Sequence, residues 1–328
     1  MTNGDVSLQK VSVTKGNEVN LYLSLQTAFY RAADGSTVTL LGDADLGEIG
    51  INIGFNGGER SLTFDLNGKS LTGKGYYALL YVNSGVNLTV KGGTIGGVDA
   101  DTDNRRYIAI QNMGGKVNVE NLTISNCDYG ILNTDDYQTF VPGELTIGSG
   151  VKISTTETCI SNYGGKLTLT ALPILSWDEG FCGIYLGKGD VINFAGEGIT
   201  ALPEDFKPIK ISASGELPCV ITNGYSTFFK NIDPADVFVV YVYDYEENKD
   251  ILGSITLEDG EVSATFIEKH NGDVNGDDKT DIADVVALTN AIIDGTTDLK
   301  YDINGDDQVT ADDIIALVNI IAGGPDNE

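Results

Sequence analysis

The stretch Leu62-Thr63-Phe64-Asp65-Leu66-Asn67-Gly68-Lys69 is a short run of alternating apolar residues that ends in an Asn-Gly corner, and this pattern predicts the fold. Alternation of apolar side chains is the period of a β-strand with one buried face. Similar segments begin at residues 38, 88, 117, 145, 167 and 192. The seven segments follow one another at intervals of 22 to 29 residues, which suits one coil of a solenoid. The repeats therefore predict a β-solenoid.

Many of these strands are preceded by an Asn residue that is usually followed by glycines. Examples are Asn56-Gly57-Gly58, Asn83-Ser84-Gly85, Asn112-Met113-Gly114-Gly115 and Asn162-Tyr163-Gly164-Gly165. Asn and Gly tolerate left-handed backbone angles, so these segments suit tight corners between strands. If the corners stack, Asn amides can hydrogen-bond from coil to coil and satisfy backbone groups inside the fold. We therefore expect a ladder of Asn side chains.

An amphipathic segment precedes the first strand. Residues 21–33 place apolar side chains on one helical face, and a helix there would cover the open end of a solenoid. Together with the stretch 62–69 and the Asn-Gly corners, this segment resembles the right-handed parallel β-helices of the pectate-lyase-like superfold, particularly its non-enzymatic cell-surface and adhesin-type members. The resemblance implies a mainly β module over residues 1–267, with irregular closing strands over about 223–267.

Two near-copies of an acidic loop, residues 273–284 and 302–313, each run into an apolar helical segment. Both place oxygen side chains at loop positions 1, 3, 5, 9 and 12 and offer a backbone carbonyl at position 7, which is the EF-hand spacing for calcium. The predicted ligands are Asp273, Asn275, Asp277, Lys279, Asp281 and Asp284 in the first loop, and Asp302, Asn304, Asp306, Gln308, Thr310 and Asp313 in the second. Crowded carboxylates repel one another without a cation, so we expect two Ca²⁺ ions that couple to folding.

These paired loops, with Asp at position 12, resemble type I dockerins; a generic EF-hand pair is the alternative. The resemblance covers residues 268–328 and implies a small all-α calcium-binding module whose partner is a cohesin module of a scaffoldin, as in a cellulosome. One departure is Asp278 and Asp307 at position 6, where EF-hands favour Gly. Carried onto this chain, the resemblance assigns cohesin binding to Ile282, Ala283, Leu288, Ala311, Asp312 and Leu317.

Charge and composition narrow the function classes. The formal net charge of −28 disfavours nucleic acids and anionic membranes as partners, because both are polyanions. The single histidine, His270, lies in the predicted linker, which removes His-based triads and metal sites from the β module. The cysteines are interpreted as buried thiols, with disulfides left open; they are Cys127, Cys159, Cys182 and Cys219. We expect a secreted protein that is attached to the cell surface through its cohesin partner.

Two segments are candidates for catalysis. Asn133-Thr134-Asp135, followed by Asp136, is similar to one polygalacturonase motif, and paired carboxylates can serve as acid and base in glycoside hydrolysis. The Gly-His-Gly and Arg-Ile-Lys motifs of that family do not occur in the chain. The segment 99–106 joins acidic residues to Arg105 and Arg106, a combination that suits a calcium-dependent lyase, but it lacks the lyase-type Arg-Pro motif. An acidic turn and a solvated loop are the respective alternatives.

Aromatic residues are spread over adjacent coils, and the glycan-binding candidates among them are Trp177, Tyr163 and Tyr185. Stacked rings suit the apolar faces of sugars, although core packing is an alternative explanation. The sequence thus predicts an extracellular dockerin-bearing protein that binds a cohesin in a calcium-dependent way, with a β-helix that serves glycan binding or adhesion. The alternatives are a dockerin-delivered polysaccharide lyase or glycoside hydrolase acting on pectin-like or other glycans, and a structural spacer. The scarcity of Arg and His favours binding over catalysis.

Overall fold

The computed structural model describes residues 10–54, 58–74, 78–97, 107–214, 218–244, 249–266, 272–277, 279–296, 299–304 and 308–322, without the side chains of 242–244, 249–251 and 299. The chain divides into two compact units, Met1–Phe266 and Ile267–Glu328, and each is described by itself. Within the described ranges, no helix is long and apolar enough to cross a membrane.

The elements of the first unit are numbered in chain order. Its described strands are β1 (Val11–Lys15), β2 (Glu18–Tyr22), β3 (Ser36–Leu40), β4 (Ala44–Asp45), β5 (Ile51–Ile53), β6 (Arg60–Asp65), β7 (Ser70–Gly73), β8 (Ala78–Asn83), β9 (Val86–Gly97), β10 (Ile108–Met113), β11 (Lys116–Cys127), β12 (Tyr129–Thr134), β13 (Glu144–Ile147), β14 (Lys152–Thr155), β15 (Ile160–Tyr163), β16 (Lys166–Leu169), β17 (Ile174–Ser176), β18 (Ile184–Leu186), β19 (Ile192–Phe194), β20 (Ile209–Ala213), β21 (Cys219–Val220), β22 (Thr222–Asn223), β23 (Phe238–Asp244), β24 (Lys249–Glu258) and β25 (Glu261–Phe266). Its described helices are α1 (Leu25–Arg31), α2 (Tyr225–Phe228) and α3 (Pro234–Val237).

The described strands of this unit form two long sheets, with 14 strands in the first and 11 in the second. In the first sheet, β3, β6, β9, β11, β13, β16, β19 and β22 pair in parallel, one after another. In the second sheet, β5, β8, β10, β12, β15, β18, β20 and β23 do the same. The chain alternates between the sheets and completes about seven turns of a β-solenoid. This topology confirms the predicted parallel β-helix.

An apolar column holds the coils in register. The aligned residues of successive coils in the first sheet are Leu62, Leu88, Val117, Leu145, Leu167 and Ile192. All of them are at most 3% exposed. Along each strand, the neighbouring residues on either side of the column point away from the core. Each such side chain contributes roughly 1.5–3 kcal/mol by burial, so the alternation read from the sequence is the main source of the solenoid's stability. All seven predicted segments lie in strands of this sheet.

A hairpin and a helix close the N-terminal end. Helix α1 covers Leu25–Arg31, which is shorter than the predicted 21–33, because Glu18–Tyr22 pairs as strand β2 with β1. Backbone pairing in this hairpin overrides the helical spacing of the apolar residues that precede the helix. Phe29 of α1 packs edge-on against Phe64 of the first long sheet, with ring centroids 5.2 Å apart. The helix therefore covers the start of the apolar column, as predicted for a cap.

The region predicted as irregular closing strands, about 223–267, contains the short helices α2 and α3 and an antiparallel meander. Strand β23 continues the second sheet in parallel with β20, and β24 and β25 then return antiparallel. The Glu261 carboxylate joins this meander to the solenoid. It accepts hydrogen bonds from Gly224 N (2.7 Å), Tyr225 N (3.1 Å) and Thr222 Oγ1 (3.0 Å). The change from parallel to antiparallel pairing ends the stacking of coils.

In its described residues, the second unit contains helix α4 (Ile282–Ile293), a 3-10 turn (Leu299–Tyr301) and helix α5 (Ala311–Ile321). Each helix begins with a capping box, in which the third helical residue bonds back to the N-cap residue. Val274, Leu288 and Leu317 form the buried core of the unit. The two loop-helix copies therefore pack against each other through matching leucines.

Candidate functional site

In the first acidic loop, backbone N–H groups donate hydrogen bonds to the loop's own side-chain oxygens. Asp273 Oδ1 accepts hydrogen bonds from Gly276 N (2.8 Å) and Asp277 N (3.1 Å). Asn275 Oδ1 accepts from Asp277 N at 2.9 Å, and Asp277 Oδ1 accepts from Lys279 N at 3.0 Å. Bonds from a side-chain oxygen to the backbone two residues ahead are Asx turns, which Asp and Asn form readily. The residues predicted at loop positions 1, 3 and 5 thus shape the loop.

Position 12 of the first loop is a buried carboxylate that bonds back onto the loop. Asp284 Oδ1 accepts hydrogen bonds from Val274 N (2.9 Å) and Asn275 N (3.1 Å). Its Oδ2 accepts a third bond, from Asp281 N at 2.9 Å, within the capping box of α4. This residue joins the start of the loop to the start of the helix.

The second loop repeats this arrangement 29 residues later. Asp313 Oδ1 accepts hydrogen bonds from Ile303 N (2.8 Å) and Asn304 N (3.2 Å). Its Oδ2 accepts a bond from Thr310 N at 2.7 Å, within the capping box of α5. Asp302, at position 1, is also nearly buried. Every hydrogen bond of the position-12 carboxylate therefore has a counterpart in the other copy.

Both position-12 carboxylates, those of Asp284 and Asp313, are 0% exposed. Burial of a charged group is costly unless an opposite charge compensates it. In the described part of the chain, no Lys or Arg forms an ion pair with either carboxylate. The N–H groups that surround them supply only partial positive charge, so the loops are suited to a cation.

The donors fit calcium by their chemistry, because carboxylate, amide and carbonyl oxygens are the ligands that this ion takes. Asp281 and Thr310, predicted at position 9, are the N-cap residues of α4 and α5, and Lys279 and Gln308 at position 7 are exposed. Across the residues that the structure describes, no three acidic, His or Cys side chains converge closely enough to hold a metal. The described carboxylates are instead bonded to backbone N–H groups. The predicted ligand Asp306 lies outside the described residues, as do Asp278 and Asp307.

The six residues predicted to bind a cohesin separate into a buried and an exposed group. Leu288 and Leu317 are fully buried in the core of the second unit. The exposed group consists of Ile282, Ala283, Ala311 and Asp312, with Ile282 at 70%. Helical spacing could not distinguish the buried residues from the exposed ones, since all six belong to or adjoin the apolar positions of the two helices. Val286 and Ile315, at matching positions of the two helices, are also exposed and were not assigned to a partner surface from the sequence.

In the β-solenoid, Asn133 lies in the middle of a buried Asn ladder. Asn112 Nδ2 donates to Asn133 Oδ1 at 2.7 Å, and Asn133 Nδ2 donates to Asn162 Oδ1 at 2.7 Å. Each amide also donates to a backbone carbonyl at its own corner, that of Gly115, Gly143 or Gly165. The expected ladder is confirmed at Asn112 and Asn162, and Asn133, which the sequence placed in a catalytic motif, is its central member.

The acidic residues that follow Asn133 form a turn. Asp136 Oδ1 accepts hydrogen bonds from Gln138 N (2.8 Å) and Thr139 N (3.3 Å). The bond from the Gln138 N–H holds the pKa of the Asp136 carboxyl below its ordinary value. Asp135 is partly exposed beside it. The other catalytic candidates, Arg105 and Arg106, lie outside the described residues.

Two of the three predicted glycan-binding residues meet. The rings of Tyr163 and Tyr185, on adjacent strands β15 and β18, lie 4.7 Å apart between centroids at an interplanar angle of 32°. Trp177 packs instead over Gly183, where a methyl group would lie 2.8 Å from ring atom Cζ3. The Trp177 ring is therefore partly buried against the solenoid.

Asp190 is a residue at this site that the sequence analysis missed. It lies at the corner after β18, and its Oδ2 accepts a hydrogen bond from Gly164 N at 2.9 Å. A methyl group at Gly187 would lie 3.0 Å from Asp190 Oδ2 and 3.4 Å from the Cα of Tyr163, so the carboxylate lies near the backbone of Tyr163. Burial raises the pKa of the Asp190 carboxyl. A corner Asp in a Gly-rich segment carries no sequence signal that distinguishes it from a turn residue.

All four cysteines are free thiols. Cys127, Cys159 and Cys182 are buried, and burial raises the pKa of Cys127 and of Cys159 to about 11. The Cys159 thiol donates to Ser176 O at 3.2 Å. A thiol of this pKa is protonated at neutral pH, which favours the interpretation of these residues as core packing. His270 lies outside the described residues.

Comparison with known proteins found no match: no family model, no curated protein and no solved structure resembles this chain closely enough to identify it.

Proposed function

We propose that this protein is an extracellular dockerin-bearing protein whose C-terminal unit binds a cohesin module in a calcium-dependent way, while its β-solenoid serves glycan binding or adhesion.

The observation that carries the proposal is the duplicated geometry around Asp284 and Asp313. Each carboxylate is buried, accepts three backbone N–H groups and links a loop to its helix. The three bonds occur at equivalent backbone positions of both copies, which supports a duplicated loop-helix unit. A pair of loop-helix units with Asp at position 12 is the arrangement expected of a dockerin.

Calcium fits these loops through a defined set of donors. The side chains of Asp273, Asn275, Asp277 and Asp284, with the carbonyl of Lys279, would hold one ion, and the residues 29 positions later would hold the other. When bound, the ion supplies the positive charge that the crowded carboxylates lack, so metal binding and folding of the unit are coupled. The residues themselves shape the loops, cap the helices and set the spacing of the two helices.

The helices offer a surface for a protein partner. Exposed apolar residues line both of them: Ile282, Val286 and Ile293 on α4, and Ile315 and Val318 on α5. Neighbouring positions of the same helices, Leu288 and Leu317, are fully buried, so the exposed residues form a second apolar face. Among the described residues of this unit, three hydrophobic side chains form the buried core, so the exposed face gains stability only when a partner covers it. A folded cohesin module is the partner that we propose.

Cohesin capture in calcium buffer tests the docking proposal. The full chain is passed over an immobilised panel of type I cohesins, with Asp273→Ala and Asp302→Ala as loop variants. Asp294→Ala is the matched control, since this exposed residue follows α4 and lies outside both loops. We expect capture by at least one cohesin for the wild type and the control, and loss of capture for the loop variants or in a chelator. Capture that survives the chelator unchanged would contradict the proposal.

A further inference from the structure

Three consecutive coils of the β-solenoid present aromatic side chains at one corner. Strands β12, β15 and β18 pair in parallel, and the corner begins where each of them ends. Tyr137 and Phe140 follow β12, Tyr163 ends β15, and Tyr185 lies in β18. We call these four residues the aromatic ridge. Since neighbouring coils lie about 4.8 Å apart, the ridge spans roughly 10 Å along the solenoid.

The outer part of the ridge is unusually exposed. Phe140 is 76% exposed, Tyr137 68% and Tyr163 46%. A large aromatic ring in water forgoes the stabilisation of roughly 1.5–3 kcal/mol that its burial would give. Several such rings at a single corner indicate a surface that is covered in use.

The loop that carries Phe140 holds it in an unfavourable backbone conformation. Phe140 has φ of 55°, a left-handed value that is rare for a bulky residue. Two backbone bonds fix it there, from Phe140 N to Asp136 O (2.7 Å) and from Asp136 N to Val141 O (2.9 Å). Neither the strain nor the exposure of the ring benefits folding, and such combinations are found at binding sites. A backbone fixed in this way also loses little conformational entropy when a ligand binds to the loop.

Polar groups beside the ridge add hydrogen-bonding capacity. Asp190 lies next to Tyr163, and its half-buried carboxylate is anchored by the Gly164 N–H at 2.9 Å. The carboxylate also accepts hydrogen bonds from the Asn162 side chain and the Gly187 backbone. Since a carboxylate has about four acceptor positions, the remaining capacity suits a single hydroxyl group of a ligand. Flat rings that contact the apolar face of a ligand, next to an acceptor for its hydroxyls, match the two faces of a pyranose sugar.

The negative charge of the protein favours neutral glycans over acidic ones as ligands. The chain carries a formal net charge of −28, and Asp135, Asp136 and Asp190 all lie at the corner of the ridge. Such a surface repels polyuronates and sulfated glycans. A neutral polysaccharide meets no such repulsion and offers both the apolar faces and the hydroxyls that the ridge can contact.

We propose that the aromatic ridge, with Asp190, binds a neutral polysaccharide chain by ring stacking and hydrogen bonding to its hydroxyl groups. This rests on the glycan-binding part of the proposed function and names its site and its sugar class. It moves the site away from Trp177, whose ring packs over Gly183.

Affinity gel electrophoresis of the full chain in calcium buffer tests the ridge. The gels contain mixed-linkage β-glucan, xyloglucan, galactomannan or arabinoxylan as neutral probes, or polygalacturonate as an acidic one. Tyr163→Ala and Phe140→Gly remove ridge rings, and the glycine variant suits the left-handed backbone and so preserves the loop. Tyr30→Ala is the control, since this exposed tyrosine lies on α1, away from the ridge.

We expect at least one neutral polysaccharide to retard the wild type and the control equally. Each ridge variant should bind it at least about tenfold more weakly, with an unchanged circular dichroism spectrum. The ridge proposal is overturned if no neutral probe retards the protein, if polygalacturonate alone does, or if Tyr30→Ala weakens binding as much as Tyr163→Ala. Cohesin capture by the same preparations separates the two proposals. Capture without neutral-glycan binding overturns the ridge alone, and glycan binding without calcium-dependent capture overturns docking alone.

Discussion

The side chain of Gln26 makes both backbone hydrogen bonds of Asn52: Nε2 donates to Asn52 O and Oε1 accepts from Asn52 N, each at 3.0 Å. Asn52 lies in β5, which is the last strand of the second long sheet at its N-terminal end. One amide group therefore takes the place of a further strand. An unpaired strand edge invites pairing with another chain, so this contact protects the protein as well as stabilising it.

Gln26→Ala should destabilise the protein, because it removes two hydrogen bonds from the edge of β5. We expect a loss of about 0.5–1.5 kcal/mol per bond, reduced by the access of water to the freed groups. Urea unfolding followed by circular dichroism measures the loss, and sedimentation velocity shows whether the open edge causes self-association.

Thr27→Ala is the matched control, since Thr27 is the next exposed position of α1 and its backbone bond to Ser24 is retained. Equal stabilities of the Gln26 and Thr27 variants would contradict the strand-mimicking role of Gln26.

Asn133→Leu should destabilise the protein much more strongly. The change keeps the size of the side chain but removes three hydrogen bonds of Asn133 and leaves the amide oxygen of Asn162 without its donor. The amide of Asn112 still donates to Gly115 O, and the carbonyl of Gly143 still accepts from Lys166 N. A buried polar group left unpaired costs about 1–3 kcal/mol and each of the two other lost hydrogen bonds about 0.5–1.5 kcal/mol, so a loss on the order of 3 kcal/mol is expected. Thermal unfolding measures it.

The comparison for this change is Asn118→Leu. Asn118 Nδ2 donates to Asn87 Oδ1 at 3.2 Å on an outer face of the solenoid, where water replaces the lost bond. The Asn118→Leu variant should therefore lose less than about 1 kcal/mol of unfolding free energy. A similar loss at both positions would mean that burial does not set the strength of the ladder.

The sequence predicted the strands well because a single alternating pattern specifies each of them. It could not show that Asn133 aligns with Asn112 and Asn162, since the spacings between these residues are 21 and 29. Loops of different length hide the register, which becomes visible only when the coils are stacked. The sequence therefore indicated a catalytic motif at Asn133, whereas the role of this residue in the Asn ladder could not be predicted from spacing.

The site residues show the same limit. The apolar positions Ile282 and Leu288 both belong to α4, yet one is 70% exposed and the other is fully buried. Which stripe of a short helix faces the core depends on how the two helices pack, and no single-helix pattern contains that information. Likewise, the pairing of adjacent coils brings the corners that hold Phe140 and Asp190 next to that of Tyr163, and no local motif predicts this.

Opposite pH dependences are expected at Asp190 and Asp136. Burial raises the pKa of the Asp190 carboxyl above its ordinary 3.8, so the stability it contributes is present below that pH and is lost as pH rises through the raised value. The neutral variant Asp190→Asn should thus gain stability relative to wild type as pH rises. Differential scanning calorimetry between pH 3 and 7 measures the difference in unfolding temperature.

For Asp136 the sign is reversed. The Gln138 N–H lowers the pKa of this carboxyl, so its contribution is present above pH 3.8 and is lost as pH falls through the lowered value. Asp136→Asn should therefore lose stability relative to wild type as pH rises. Shifts of the same sign in both variants would refute the assigned environments.

Ile282 and Leu288 should respond to substitution in different ways, although the sequence assigns both to cohesin binding. Leu288→Ala removes a fully buried side chain and should cost about 2–5 kcal/mol, which unfolds a unit whose buried core consists of Val274, Leu288 and Leu317. Ile282→Asp places a charge on an exposed position and should leave the helical circular dichroism signal unchanged. It should weaken cohesin capture at least about tenfold, because a desolvated charge has no partner in an apolar contact. If Ile282→Asp is captured as well as wild type, the exposed stripe of α4 is not the docking face, and Ile315 on α5 is the next position to change.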